Sequence, residues 1–195
     1  MEVHTIMRSD VYAEIPTLEN DHFTLRAINT KRDITDLLKV YSDEKAVPLF
    51  NSDNCNGDNF YYQSMEQMQK VIEFWEFSYE NKYFVRWAIQ DRYTNEVIGT
   101  IELFHRLADD FLNHCGLLRL DLRSDYETKD HIESILSIII PEVKELFQCN
   151  KIATKAIPIA LNRIYVLEKI GFQLSEDFLI GHDGTKYNSY YVMEV

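Results

Sequence analysis

The apolar positions of this chain change period several times, and each change marks an element. From Phe23 to Ile28, Phe23, Leu25 and Ala27 alternate with Thr24, Arg26 and Ile28, the period-two pattern of a first strand. Ile34, Leu37, Leu38 and Tyr41 then recur at three- and four-residue spacing, predicting a helix capped by Asn29 or Thr30. Pro48 ends that region, and NSDNCNGDN, from Asn51 to Asn59, is dense in turn formers and predicts an exposed loop. Ser64 and Gln67 have capping-box spacing and open a second helix with the stripe Met65, Met68, Val71, Ile72, Trp75 and Tyr79. Val85 to Gln90 and Val97 to Phe104 predict two strands joined through DRYTNE. Gly99 inside the second marks a bulge or a close backbone approach.

The stretch from Gly116 to Phe172 carries the clearest succession. Leu118, Leu120 and Leu122 fall on one face of a strand, with Arg119, Asp121 and Arg123 on the other. After the polar turn DYETKD, Ile132, Ile135, Leu136, Ile139, Val143, Leu146 and Phe147 form the buried stripe of a long helix. Its start is set by Ser124 with Glu127 or by Asp130 with Glu133, both at capping-box spacing. Pro141 predicts a kink, because it has no N–H to offer the Ser137 carbonyl. KIATKAI then reads as a strand and ALNRIYVLEKIG as a helix, so strand, helix, strand, helix make a right-handed crossover with parallel strands. The last segments, QLSEDFLI, GHDGT and KYNSYYVMEV, predict a terminal hairpin that completes the sheet. The expected architecture is a single α/β domain over residues 17–195, behind a weakly patterned tail, Met1 to Pro16. Its sheet is mixed but largely antiparallel, with helices on both faces.

Composition narrows the function classes. Of 195 residues, 46% are hydrophobic and 13% aromatic, enough for a packed core. Thirty-two acids against 20 bases give a net charge of −12, which argues against a nucleic-acid partner. That charge suits a cationic substrate, or simply solubility. Cys55, Cys115 and Cys149 are odd in number and have no CxxC or histidine pair near them. Neither a disulfide framework nor a metal site is expected, and reduced thiols fit a cytoplasmic protein. His105, His114 and His131 lack metal-ligand spacing. No apolar run is long enough for a membrane span, and no signal-peptide core is present, so no membrane partner is expected.

The order of elements, the closing phrase VLEKIGF and the opening LENDHFTLRAINTKRDITDLLKVYSD resemble the GNAT superfamily of acetyl-coenzyme A-dependent N-acetyltransferases. The similarity is to the branch that acetylates ribosomal proteins and small amines. The resemblance implies transfer of acetyl from acetyl-CoA to a primary amine, on a small molecule or a peptide, by direct attack. It places the pantetheine along the core strand near Leu120, Leu122 and Arg123. The pyrophosphate falls at Thr128, Lys129, Asp130, His131 and Ile132. The family's loop reads Gln or Arg, two residues, Gly, one residue, Gly or Ala. Here that window is Glu127 to Ile132, with Asp130 and Ile132 at the glycine places. From Asp125 to Glu133 four acids face Lys129 alone, so binding of the cofactor is expected to be weakened or lost. The family's asparagine place falls at Ala160, with Asn162 two residues on. Its tyrosine falls at Leu167, with Tyr165 on another side of the helix.

Two acids are candidates for the base that keeps an attacking amine neutral: Glu102 and, on the neighbouring core strand, Asp121. The aromatic run of Phe60, Tyr61, Tyr62, Phe74, Trp75, Phe77 and Tyr79 suits three roles: the wall of an acceptor cleft, the core, or a homodimer contact. Two functions therefore stand open. One is the N-acyltransferase; the other is a degenerate acetyltransferase fold that serves as a ligand-binding or protein-interaction module.

Overall fold

A computed structural model describes residues 10–195 of the chain. The alternating segments become β1 (Leu18–Glu19), β2 (Phe23–Ala27), β3 (Val85–Asp91), β4 (Val97–Arg106), β5 (Cys115–Leu122) and β6 (Lys151–Lys155). Four short strands close the chain: β7 (Gln173–Leu174), β8 (Leu179–Ile180), β9 (Lys186–Tyr187) and β10 (Tyr190–Glu194). The helical stripes become α1 (Thr30–Tyr41), α2 (Met65–Glu80), α3 (Lys129–Ile139), α4 (Val143–Phe147) and α5 (Leu161–Lys169). Eight strands form one sheet in the order β1-β2-β3-β4-β5-β6-β10-β7. Among the described residues only β5 and β6 pair in parallel, so the sheet is mixed and largely antiparallel, as the element order requires.

Strand alternation sends two unlike sets of side chains to the two faces. Trp87, Ile101, Leu103, Leu118, Leu120 and Leu122 meet Ile132, Ile135, Ile139 and Leu167 of α3 and α5 in the larger core. On the opposite face, Ala88 and Val97 meet Leu37, Tyr41, Met68, Ile72 and Trp75 of α1 and α2. Asn29 caps α1, its side chain accepting from the Arg32 amide at 3.0 Å, and Ser64 with Gln67 forms the expected capping box on α2. At Pro141 the helix breaks into a 3-10 turn, Ile140–Glu142, between α3 and α4. Gly99 sits at a bulge, where the β3–β4 register shifts between Ile89 and Gln90. A Cβ at Gly99 would lie 2.2 Å from the Asp121 carbonyl oxygen, so only glycine fits.

Two local readings are corrected. Neither Ser124 nor Asp130 caps α3: Thr128 does, its hydroxyl accepting from the His131 amide at 3.3 Å, while Ser124 starts a separate 3-10 turn. Capping-box spacing marks candidates, and the approach of the chain to the sheet chooses among them. The loop 51–59 is not simply exposed. Asn51 and Asp53 are buried, because the sheet face beneath carries Lys155, whose ammonium meets both Asp53 oxygens at 2.6–2.7 Å. The last segments do pair as a terminal hairpin that completes the sheet, but it is bent into two parts. β7 pairs β10 at the edge of the main sheet, where β10 also pairs β6, while β8 and β9 make a separate ribbon closed by the turn at 181–184. Residues 1–9 of the segment read as a tail lie outside the described residues. From residue 10 the chain lies on the body, with Val11 buried and the Pro16 carbonyl accepting from the Trp87 indole at 2.9 Å.

Candidate functional site

The face shared with α1 and α2 holds a band of charge where a core would be apolar. Register puts Arg86 of β3 opposite Glu102 of β4, and Glu102 opposite Arg119 of β5. Thr100 faces Asp121. Arg86 is buried at 4% exposure and bridges both acids, with Nη2 to Glu102 at 2.5 Å and Nη1 to Asp121 at 3.0 Å. The same Nη1 reaches the Tyr41 and Thr100 hydroxyls at 2.9 and 2.8 Å, and the Trp75 ring lies 4.4 Å from the guanidinium carbon. Tyr41 donates to Asp121 at 2.7 Å; burial, then the Asp121 charge, pushes its hydroxyl well above the ordinary tyrosine range. Asp121 is thus enclosed by Arg86 and Tyr41.

Above this band opens a cleft of about 850 Å³. Arg86, Glu102, Phe104 and Arg119 floor it, Val71, Phe74 and Trp75 of α2 form one wall, and residues 54–62 form another. Four of its lining residues, Asn54, Asn56, Phe60 and Lys82, hold φ between 53° and 60°, a left-handed conformation that is unusual for a side chain as bulky as phenylalanine. The aromatic run divides accordingly. Trp75, Phe60 and Tyr62 are buried at the cleft, while Phe74 stands at its rim and Phe77 faces outward. Arg119 donates to Cys55 Sγ at 2.8 Å and to the Asp53 carbonyl at 3.0 Å. Burial raises the Cys55 thiol above its ordinary range despite Arg119, so this cation is bonded to a neutral sulfur.

On the other side of β5 the strands part. β5 and β6 pair only from Gly116–Ile152 to Leu118–Thr154, although β5 runs on to Leu122. The gap is filled. Arg163 of α5, 5% exposed, reaches into it, ion-pairs with Glu127 and donates to the Leu49 carbonyl at 3.2 Å. What remains among Leu120, Ile132, Thr154, Arg163 and Leu167 is about 10 Å³, barely one water's worth of space.

The other residues singled out in the sequence fall around this gap. Leu120, Leu122 and Ile132 are buried in the large core, and Arg123 is bound by Asp125 and Glu96. Thr128 is the α3 cap, Lys129 lies 3.7 Å over the Tyr165 ring, and Asp130 is exposed. His131 stacks on Tyr126, and Asn162 donates to the Glu127 carbonyl at 2.7 Å. Glu102 lies in the cleft floor, and Asp121 sits behind it under Tyr41. Sequence reading gave no functional role to Arg86, Arg163 or Arg119, the last placed only on the polar face of its strand. The available signal was a charge inside an apolar strand, VRWAI, and one inside a short helix.

The family model for the acetyltransferase (GNAT) domain matches residues 22–173. The chain belongs to the GNAT acetyltransferase family. It is 33% identical over 93 residues to the uncharacterized N-acetyltransferase YoaA of Bacillus subtilis (strain 168), a match spanning 48% of this chain and 48% of that protein. Solved GNAT structures share the fold at low identity. A GNAT-family acetyltransferase from Bacillus anthracis superposes with a TM-score of 0.67 at 13% identity, covering 92% of this chain and 98% of that one. The ribosomal-protein acetyltransferase RimL, solved with coenzyme A, gives 0.67 at 13%, with the same coverage.

The residues present do not fit the GNAT family's cofactor. An arm of pantetheine's girth has no room where Arg163 and Glu127 meet, and the turn before α3 presents Asp125, Glu127 and Asp130 with no glycine.

Proposed function

We propose that this GNAT-family chain works as a ligand-binding protein, its acceptor-side cleft retained and its coenzyme A slot closed from within. The observation that carries this reading is the Arg163–Glu127 pair lodged in the gap between β5 and β6. Opening the gap would leave a buried guanidinium and a carboxylate without each other, at a cost of several kcal/mol. Across the sheet, the cleft remains large enough for a small organic ligand. Isothermal titration with acetyl-CoA tests the reading. The expected wild-type result is no binding tighter than roughly 1 mM, about −4 kcal/mol. The variant Arg163→Ser with Asp130→Gly should bind measurably. Micromolar affinity in the wild type overturns the proposal.

A second reading is supported by family membership itself: N-acetyl transfer from acetyl-CoA to a primary amine by direct attack. In that case Glu102, which lines the cleft, is better placed as the base than Asp121, which Tyr41 and Arg86 enclose. Acetyl transfer to any amine of a panel, slowed by Glu102→Gln and not by a surface change, would establish it.

A further inference from the structure

We infer that the cleft takes a neutral planar ring carrying a hydrogen-bond donor and an acceptor on one edge, such as an aromatic carboxamide or a lactam-bearing heterocycle. This inference rests on the cleft being the binding site, as proposed above. Charge is the first argument. The floor holds the buried Arg86 and the partly buried Arg119 against the buried Glu102 and Asp121, two positive and two negative groups. That balance is neutral, so a ligand bearing net charge of either sign would leave one charge uncompensated in a desolvated place. The other charged side chains on the lining do not alter this: Lys70 and Lys82 are exposed and already paired with Glu66 and Asp10, and Asp58 faces solvent beside them.

Unused hydrogen-bonding capacity is the second argument. Glu102 is 2% exposed; Arg86 takes its Oε2, and among the described residues Oε1 accepts no hydrogen bond, Arg119 Nε standing 3.6 Å away. Oε1 therefore calls for an N–H or O–H. Beside it, the Arg119 η nitrogens reach only the Cys55 sulfur and the Asp53 carbonyl, which leaves donors for an acceptor atom. A donor and an acceptor side by side on one edge answer both. The walls supply the third argument. Trp75 and Phe84 flank Arg86, and the rim residue Phe74 packs edge-on to Phe84, offering flat faces to a ring. Phe60, held at φ 59°, is buried at the same cleft.

Three probes of one shape but different charge test this: nicotinamide (neutral), nicotinate (anionic) and 3-(aminomethyl)pyridine (cationic at neutral pH). Binding to the full chain is followed by the Trp75 indole signal in NMR spectra and by tryptophan fluorescence. Nicotinamide is expected to bind at least about tenfold more tightly than either charged probe. Glu102→Gln should weaken nicotinamide and shrink that preference. Should Glu102→Gln fail to fold, Phe74→Ala, at an exposed position, should weaken nicotinamide by a similar factor with the fold intact. A preference for the cation would make the cleft an amine pocket and overturn the inference, and a preference for the anion would overturn it equally. Absence of binding by all three at millimolar concentration does so too. The acetyl-CoA titration is independent of these outcomes: it decides the cofactor question whichever probe binds.

Discussion

Replacing Arg86 by methionine tests the floor of the cleft directly. The substitution keeps much of the side chain's length and its packing against Trp75, but it removes a guanidinium that serves two carboxylates and two hydroxyls at 2.5–3.0 Å. Glu102 and Asp121, each 2% exposed, would then lose their main cation, and Tyr41 would be left as the donor to Asp121. Breaking a buried pair by deleting one partner costs about 3–5 kcal/mol, and here one deletion strands two acids, so the upper end is expected. Against a typical domain stability of about 5–15 kcal/mol, the variant should still fold but unfold at much lower urea. Equilibrium urea unfolding followed by circular dichroism measures the difference. Arg86→Lys should fall between, since an ammonium restores the charge without the two-pronged geometry. Replacing Arg86 and Asp121 together by Met and Leu should recover much of the loss, because Glu102 then keeps Arg119 as its cation and no charge is left without a partner. A loss below about 1 kcal/mol for Arg86→Met alone would refute the claim that this residue holds the floor together.

Three further outcomes follow from particular residues. Ile139, fully buried under the sheet, should cost about 2–5 kcal/mol when cut to alanine, and a change below half of the lower figure in urea unfolding would mean the α3 stripe is misplaced. Gly99→Ala drives a methyl to 2.2 Å from the Asp121 carbonyl and should destabilise by at least about 1–3 kcal/mol; a neutral thermal shift would contradict the close approach. Burial raises the Asp33 carboxyl, but hydrogen bonds from Arg26, the Asn29 amide and Arg32 outweigh it and hold the group below its ordinary value of 3.8. Its contribution is therefore complete above that value and is lost as pH falls through the lower folded-state value. Asp33→Asn should flatten the acid limb of the stability–pH curve below about pH 4, and an unchanged limb would refute the assignment.

Much of this protein follows from periodicity. Spacings of two and of three to four residues depend only on backbone geometry, so the Leu118–Leu122 strand, the Ile132–Ile139 stripe and the Pro141 break could be read without a structure. Gly99 was legible for a similar local reason: a glycine inside a strand packs nothing, so it earns its place at a bulge or where another backbone comes close. Charge pairing has no such local signature. Arg86 finds Asp121 across 35 residues by reaching over β4 from β3 to β5, and Arg163 finds Glu127 across 36 because α5 packs beside the start of α3. Glu102 and Asp121, chosen from the sequence for their position on adjacent strands, are bridged by one arginine, and only the fold shows it. The turn before α3 carries its acids openly in the sequence. That Glu127 turns inward to meet Arg163 in the gap between β5 and β6, and does not face solvent at the helix start, was decided by where α5 packs. The sequence sets which segments become strands and helices, since that is a contest between neighbours along the chain. Which charges end up buried together, and so which cavities stay open, is a contest between segments that meet only in three dimensions.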